Sequence, residues 1–297
     1  MKIPPYLKHG DKIAIVAPAR KITMEELSSA IEIFKQWGLK VVLGKNLFQH
    51  HHQFSGTDEQ RTADLQAALD DTDIKAIISA RGGYGTLRVI DKLDFSKFKK
   101  YPKWIIGYSD MTVLHSHIHS NFNIPTIHAT MPINFDKNKD AVESLRKALF
   151  GETLAYIFPK NKLNRKGACK GVLTGGNLSL LYALNNSVSN IETKNKILFI
   201  EDLDEYLYHI DRMMLNLKRS GKLKNLAGLI VGGMTDMKDN TVPYGKTAEE
   251  IILDAVKEYN YPVYFGFPAG HIDKNSALVL GKKIEVKVGR EIYLKFI

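Results

Sequence analysis

The chain has 297 residues, of which 44% are hydrophobic and 25% charged, ordinary for a globular protein and long enough for two domains. Its one cysteine, Cys169, excludes an intramolecular disulfide framework and a Cys-rich zinc site, which fits a reducing, cytoplasmic setting. The formal charge of +10 raises the question of nucleic acid, but the basic clusters at residues 97–103, 160–170 and 218–224 come with no nucleic-acid-binding motif. No nucleic-acid partner is expected, and the basic field instead favours an anionic substrate.

At the N-terminus Lys2 precedes an apolar run ending Ala17-Pro18-Ala19, which superficially resembles a leader cleavage site. Pro4, Pro5, Lys8, His9, Asp11 and Lys12 interrupt it, so residues 13–17 read better as a first buried strand. No segment approaches the roughly 18 apolar residues of a membrane span, and no membrane association is expected.

From there apolar runs alternate with amphipathic segments as in βαβ units. Strands are predicted over 13–17, 40–43, 76–80 and 104–108, and helices over 23–37, 58–69 and 86–93, giving a parallel, layered domain over residues 1–150. Residues 151–170 turn polar and lysine-rich and are predicted as a linker. Residues 171–297 then form a smaller α/β domain. It has a Gly-rich turn at 174–177, strands at 197–200, 229–231 and 263–265, helices at 205–218 and 247–259, and a terminal β-ribbon at 277–297.

Chemistry concentrates at the ends of these strands. In Gly107-Tyr108-Ser109-Asp110-Met111-Thr112, an apolar strand breaks and resumes with helical spacing, so Ser109 sits on a strand-to-helix turn. There its hydroxyl is exposed, and the backbone N–H groups opening the helix, Asp110 first, face any oxyanion formed beside it. On this reading Asp110 matters through its N–H rather than its carboxylate. Arg81-Gly82-Gly83-Tyr84-Gly85 follows a strand, and its glycines allow close backbone approach, so Gly83 is a second oxyanion donor candidate. The motif is not G-x-G-x-x-G and follows the third strand, which disfavours a dinucleotide, and no cofactor is expected.

Glu201-Asp202 closes the strand Lys196-Ile197-Leu198-Phe199-Ile200, where spacing alone leaves open which acid is functional or whether both merely favour the next helix. Gly266-Phe267-Pro268-Ala269-Gly270-His271 delivers a histidine on a rigid loop, and a serine nucleophile needs such a base. His115, His117 and His119, and the triplet His50-His51-His52, lack an H-E-x-x-H pattern or a completing carboxylate, so no metal is assigned. An α/β-hydrolase is disfavoured because Met111 stands where the G-x-S-x-G elbow needs its second glycine.

Together with Ile13-Ala14-Ile15-Val16-Ala17-Pro18, Gly171-Val172-Leu173-Thr174-Gly175-Gly176-Asn177-Leu178, and Glu205 through Asp211-Arg212, these motifs occur in an order that resembles the LD-carboxypeptidases, nearly end to end. Residues 127–132, Ile-His-Ala-Thr-Met-Pro, depart from the His-Gly-Pro common in that family. The resemblance implies a Ser109–Glu201–His271 triad and a Rossmann-like N-terminal domain joined at the active site to a smaller C-terminal domain. It further implies a homodimer and release of terminal D-alanine from murein tetrapeptides in peptidoglycan recycling. Arg81 is a candidate for the substrate carboxylate. The alternatives are hydrolysis of peptidyl-nucleotide antibiotics, known in the same family, and non-catalytic binding of a murein peptide.

Overall fold

The computed structural model describes residues 2–297. In chain order the first part runs β1 (Lys12–Val16), α1 (Met24–Gln36), β2 (Lys40–Leu43), α2 (Asp58–Asp70), β3 (Ile74–Ser79), α3 (Ser96–Lys100), β4 (Trp104–Gly107), α4 (Thr112–Phe122), β5 (Thr126–His128) and α5 (Lys139–Phe150). The second runs β6 (Ala155–Phe158), β7 (Cys169–Asn177), α6 (Leu178–Ala183), β8 (Lys196–Leu203), α7 (Leu207–Arg219), β9 (Gly228–Thr235), α8 (Ala248–Ala255) and β10 (Val263–Phe265), then β11 (Leu278–Leu280), β12 (Lys283–Val288) and β13 (Ile292–Phe296).

Two sheets form, both α/β in character. The first has the order β11-β5-β4-β3-β1-β2 and is parallel apart from β11. The second, β10-β9-β8-β7-β12-β13-β6, is parallel from β10 to β7 and antiparallel beyond. The middle positions of their central parallel strands are largely apolar because both faces are covered. Ile13 and Ile15 enter one core while Ala14 and Val16 enter the other, and Leu198 and Ile200 part in the same way from Ile197 and Phe199.

Five of the helices, α1, α2, α5, α6 and α8, start where a side chain satisfies a free N–H group. Thr23, Thr57 and Thr247 each form a reciprocal capping box with a Glu or Gln three residues on. Residues 86–93, expected as a helix, form two 3-10 turns instead, Thr86–Arg88 and Ile90–Lys92. The two turns meet at Val89, which is buried together with Ile90.

The expected linker 151–170 contains β6, which pairs with β13 at the far edge of the second sheet. The expected terminal ribbon likewise begins with a strand that leaves it. β11 pairs antiparallel with β5 of the first sheet, and its alternate side chains Leu278 and Leu280 enter a core of the second sheet. It thus fastens the two halves together.

β7 and β8 run so close that Gly175 is obligatory: at φ +129° it holds a conformation L side chains rarely adopt, and an added Cβ would lie 1.8 Å from the Phe199 carbonyl oxygen. Gly175→Ala is expected to lower stability by about 3–5 kcal/mol, combining backbone strain with overpacking. Urea unfolding measures this, and a loss below about 1 kcal/mol would contradict the described approach.

Candidate active site

The carboxyl ends of parallel strands are where α/β sheets place their ligands, and both sheets turn those ends toward one cleft of about 610 Å3. β1 and β3 contribute Arg20, Arg81, Gly82 and Gly83, β4 contributes Tyr108 and Ser109, β8 contributes Leu203, and the loop after β10 contributes His271.

Ser109 has φ +61°, a left-handed conformation that costs a non-glycine residue on the order of 1–3 kcal/mol. The α4 helix behind it is held against the second half by side chains reaching backbone. Ser116 Oγ donates to Ser189 O at 2.5 Å, Ser120 Oγ to Asn190 O at 2.7 Å and Asn121 Nδ2 to Val188 O at 2.9 Å. Asn177 N–H donates to Thr112 Oγ1 at 3.0 Å. These bonds set the position of Ser109 relative to residues of the other sheet.

The Asp110 carboxylate is buried and accepts from Thr86 N–H at 2.8 Å and Thr86 Oγ1–H at 2.6 Å. Burial raises its pKa despite the Thr86 bonds that oppose the rise. The Asp110 carboxylate, given no role in the sequence reading, therefore ties the serine turn to the end of the Arg81–Gly85 loop. Within that loop Gly82 faces the serine, since an added Cβ would lie 3.0 Å from Ser109 Cβ, while Gly83 packs on the alkyl chain of Arg20.

Glu201 and His271 meet at the other wall. Glu201 Oε2 accepts from the His271 backbone N–H at 3.1 Å and lies 2.7 Å from His271 Nδ1. The Glu201 side chain is 0% exposed and that of His271 12%. Gly270, at φ +110°, permits this approach, because a Cβ there would fall 2.7 Å from Glu201 Oε2. Burial pulls the imidazole pKa down, but the hydrogen bond and charge of Glu201, with the charge of Asp202, outweigh it, and His271 titrates above the ordinary 6.5.

Asp202 points to the other side of the strand, as period-2 alternation requires. It accepts from Asn177 Nδ2 and Ser179 N–H, both at 2.8 Å, and burial, followed by the charge of Glu201, lifts its pKa to about 7. The acid touching the histidine is Glu201.

Tyr108 walls the histidine, with ring centroids 4.9 Å apart, and its hydroxyl accepts from Asn134 Nδ2 at 2.8 Å. Burial, then the charge of Glu201, raises the phenol to about 12, so it stays neutral. Arg81 lines the cleft, yet its guanidinium donates to Lys21 O at 3.2 Å and lies 3.7 Å from Glu26 Oε1. His115 Nε2 bonds Gly107 O at 2.9 Å and His117 Nδ1 bonds Ser189 Oγ at 2.8 Å, so these two rings serve packing. Among the described residues no group of three or more His, Cys, Asp or Glu side chains could hold a metal ion.

Sequence reasoning missed Thr86, Asn134 and Lys137 at this site. Only Thr86 had a signal, a hydroxyl immediately after the Gly-rich loop.

Comparison with known proteins gives this arrangement a family. Residues 13–129 match the LD-carboxypeptidase N-terminal domain and residues 170–286 the LD-carboxypeptidase C-terminal domain. The chain is 38% identical over 291 residues to a probable murein peptide carboxypeptidase of Bacillus subtilis, covering 94% of this chain and 90% of that protein. It belongs to the LD-carboxypeptidase family. The crystal structure of muramoyltetrapeptide carboxypeptidase from Oxalobacter formigenes is similar at TM-score 0.87 and 26% identity, covering 96% of this chain and 98% of that one. The Microcin C7 self immunity protein MccF, in complex with aspartyl sulfamoyl adenosine, shares the fold at TM-score 0.87 and 22% identity, over 98% of this chain and 97% of that one. Family membership makes the chain a carboxypeptidase.

Glu201→Gln keeps the shape of the side chain and removes its charge. The His271 pKa is then expected to fall from above 6.5 to below it, since burial is left acting with little opposition. Titration of the ring by NMR reads this directly; an unchanged pKa would contradict the coupling.

Proposed function

We propose that the protein is a serine LD-carboxypeptidase that releases the terminal D-alanine of murein tetrapeptides. The buried Glu201–His271 pair facing the same cleft as Ser109 is the observation that carries this reading. His271 takes the Ser109 proton while Glu201 stabilises the imidazolium, and Ser109 Oγ attacks the amide carbonyl preceding D-alanine. The N–H groups of Asp110 and Gly83 receive the tetrahedral oxyanion, a type of donor whose loss costs about 3–4 kcal/mol of transition-state stabilisation.

Collapse of the intermediate breaks the C–N bond. His271 returns its proton to the departing nitrogen, leaving a tripeptidyl ester on Ser109, which water activated by the same histidine then hydrolyses. A base raised above 6.5 suits this work near neutral pH. The same reading includes a cytoplasmic homodimer acting in peptidoglycan recycling, with no cofactor, and its support is the family resemblance.

Ser109→Ala is expected to reduce D-alanine release from a murein tetrapeptide by at least about ten-thousand-fold with the fold intact. Retention of normal release would overturn the assignment. Since catalysis needs neutral His271, kcat/KM of the unmodified enzyme should fall below a pKa above 6.5, and in Glu201→Gln this acid limb should move to lower pH. The fold shared with the self immunity protein makes an aminoacyl-sulfamoyl nucleoside the proper competing substrate. Preferential hydrolysis of that compound would reassign the substrate class, and turnover of neither would favour a binding protein.

A further inference from the structure

A carboxypeptidase must recognise the free carboxylate of the residue it removes, and that residue must lie on the side of the base. After accepting the serine proton, His271 has to deliver it to the departing nitrogen. A second, smaller cavity adjoins the cleft and shares five of its lining residues, Tyr108, Asn134, Lys137, Leu203 and His271. The cleft also contains Ser109, Gly82, Gly83, Arg20 and Arg81. The cavity, of about 230 Å3, does not include Ser109. Its volume equals several waters at roughly 30 Å3 each, which leaves room for one small amino acid.

Lys137 is the one Lys or Arg lining that second cavity. Among the described residues its ammonium has no ion pair and no hydrogen bond, so its charge is available. The chain beneath it is nevertheless fixed. Lys137 N–H donates to Asn134 O at 3.1 Å, Asn134 Nδ2 holds the Tyr108 hydroxyl, and Phe135 packs into the core with its ring 5.4 Å from that of Phe34. Arg81, the candidate from sequence, lines the cleft but not this cavity, with its guanidinium already bonded to Lys21 O and paired with Glu26.

The same smaller cavity is lined by Asp236 and Asp273, neither with a cationic partner among the described residues. Cleavage turns the amide nitrogen of the departing residue into an ammonium. A pocket with one unpaired cation and two unpaired acids therefore fits the zwitterion that leaves.

We propose that this cavity receives the departing C-terminal residue and that Lys137 sets specificity by binding its free carboxylate. This rests on the hydrolytic reading above and assigns its leaving-group side. The bond is charge-assisted, and a lost bond of that kind corresponds to about a 10- to 100-fold change.

The test compares kcat/KM on a murein tetrapeptide and on the same peptide with its C-terminal carboxylate amidated, for the unmodified enzyme, Lys137→Met, Lys137→Arg and Arg81→Met. The unmodified enzyme should prefer the free acid. Lys137→Met should lose about 10- to 100-fold on the acid and little on the amide, erasing the preference, while Lys137→Arg retains most of it and Arg81→Met leaves the ratio unchanged. Retention of the acid preference by Lys137→Met, or an equal loss on both peptides, would overturn the proposal. Failure of the unmodified enzyme to cleave either peptide would instead overturn the hydrolytic reading, and this assignment with it.

Discussion

The site depends on a carboxylate, Glu201, whose side chain is fully buried. An ionised Glu201 in a sheet interior would cost several kcal/mol if left alone, and the described structure offers it one partner, His271, through both ring and backbone N–H. Glu201 Oε1 has no hydrogen-bond partner among the described residues, so compensation rests on the Oε2 side. The loop is shaped around this need. Gly270 admits the backbone, its N–H is held by Asn275 Oδ1 at 2.9 Å, and Tyr108 closes over the ring. The same contact that stabilises the buried charge fixes the tautomer-bearing nitrogen Nδ1 and leaves Nε2 for the cleft.

That pair would be idle without accurate placement of the serine, which comes from a different sheet. The connection is made at short range by α4, whose polar side chains grip the backbone of residues 188–190, and by Thr112, which meets Asn177 one residue beyond Gly176. It is made at long range by β11, which belongs to one sheet by hydrogen bonds and to the other by its buried leucines. The Asp110–Thr86 bonds complete the frame by locking the serine turn to the Gly-rich loop. Each half therefore supplies part of the cleft lining, and the constraints between them include specific hydrogen bonds, one shared strand and apolar contacts such as Leu184 in a core of the first sheet.

Much of this was legible in the sequence because parallel strands buried on both faces must be continuous apolar runs, and runs such as 13–17 and 104–108 stand out. The motif after β4 singled out Ser109 as a candidate, and His271 followed only because a serine nucleophile needs a base. Choosing between Glu201 and Asp202 was beyond spacing, since both end the same strand and only the parity of the pleat decides which meets the histidine. Residues 86–93 carry enough apolar residues for a helix, but the backbone breaks at Val89 into two 3-10 turns. β6 was hidden in a lysine-rich segment because an edge strand buries little, with only Phe158 inside. The α5 helix had a visible stripe of Ala141, Val142, Leu145, Ala148 and Leu149, which went unused. Lys137 could not be found at all, for nothing in a loop lysine reveals that its charge has no partner or which cleft it borders.

The central claim is that Ser109 is the nucleophile and that groups from both sheets meet around its adduct. A crystal structure of the protein with a peptide boronate or aldehyde mimicking the acyl residue tests it most directly. The account predicts a covalent bond to Ser109 Oγ, the adduct oxygen facing the N–H groups of Asp110 and Gly83, and His271 Nε2 within hydrogen-bonding distance of the adduct. A bond to another residue, or an adduct oxygen turned away from those N–H groups, would contradict it.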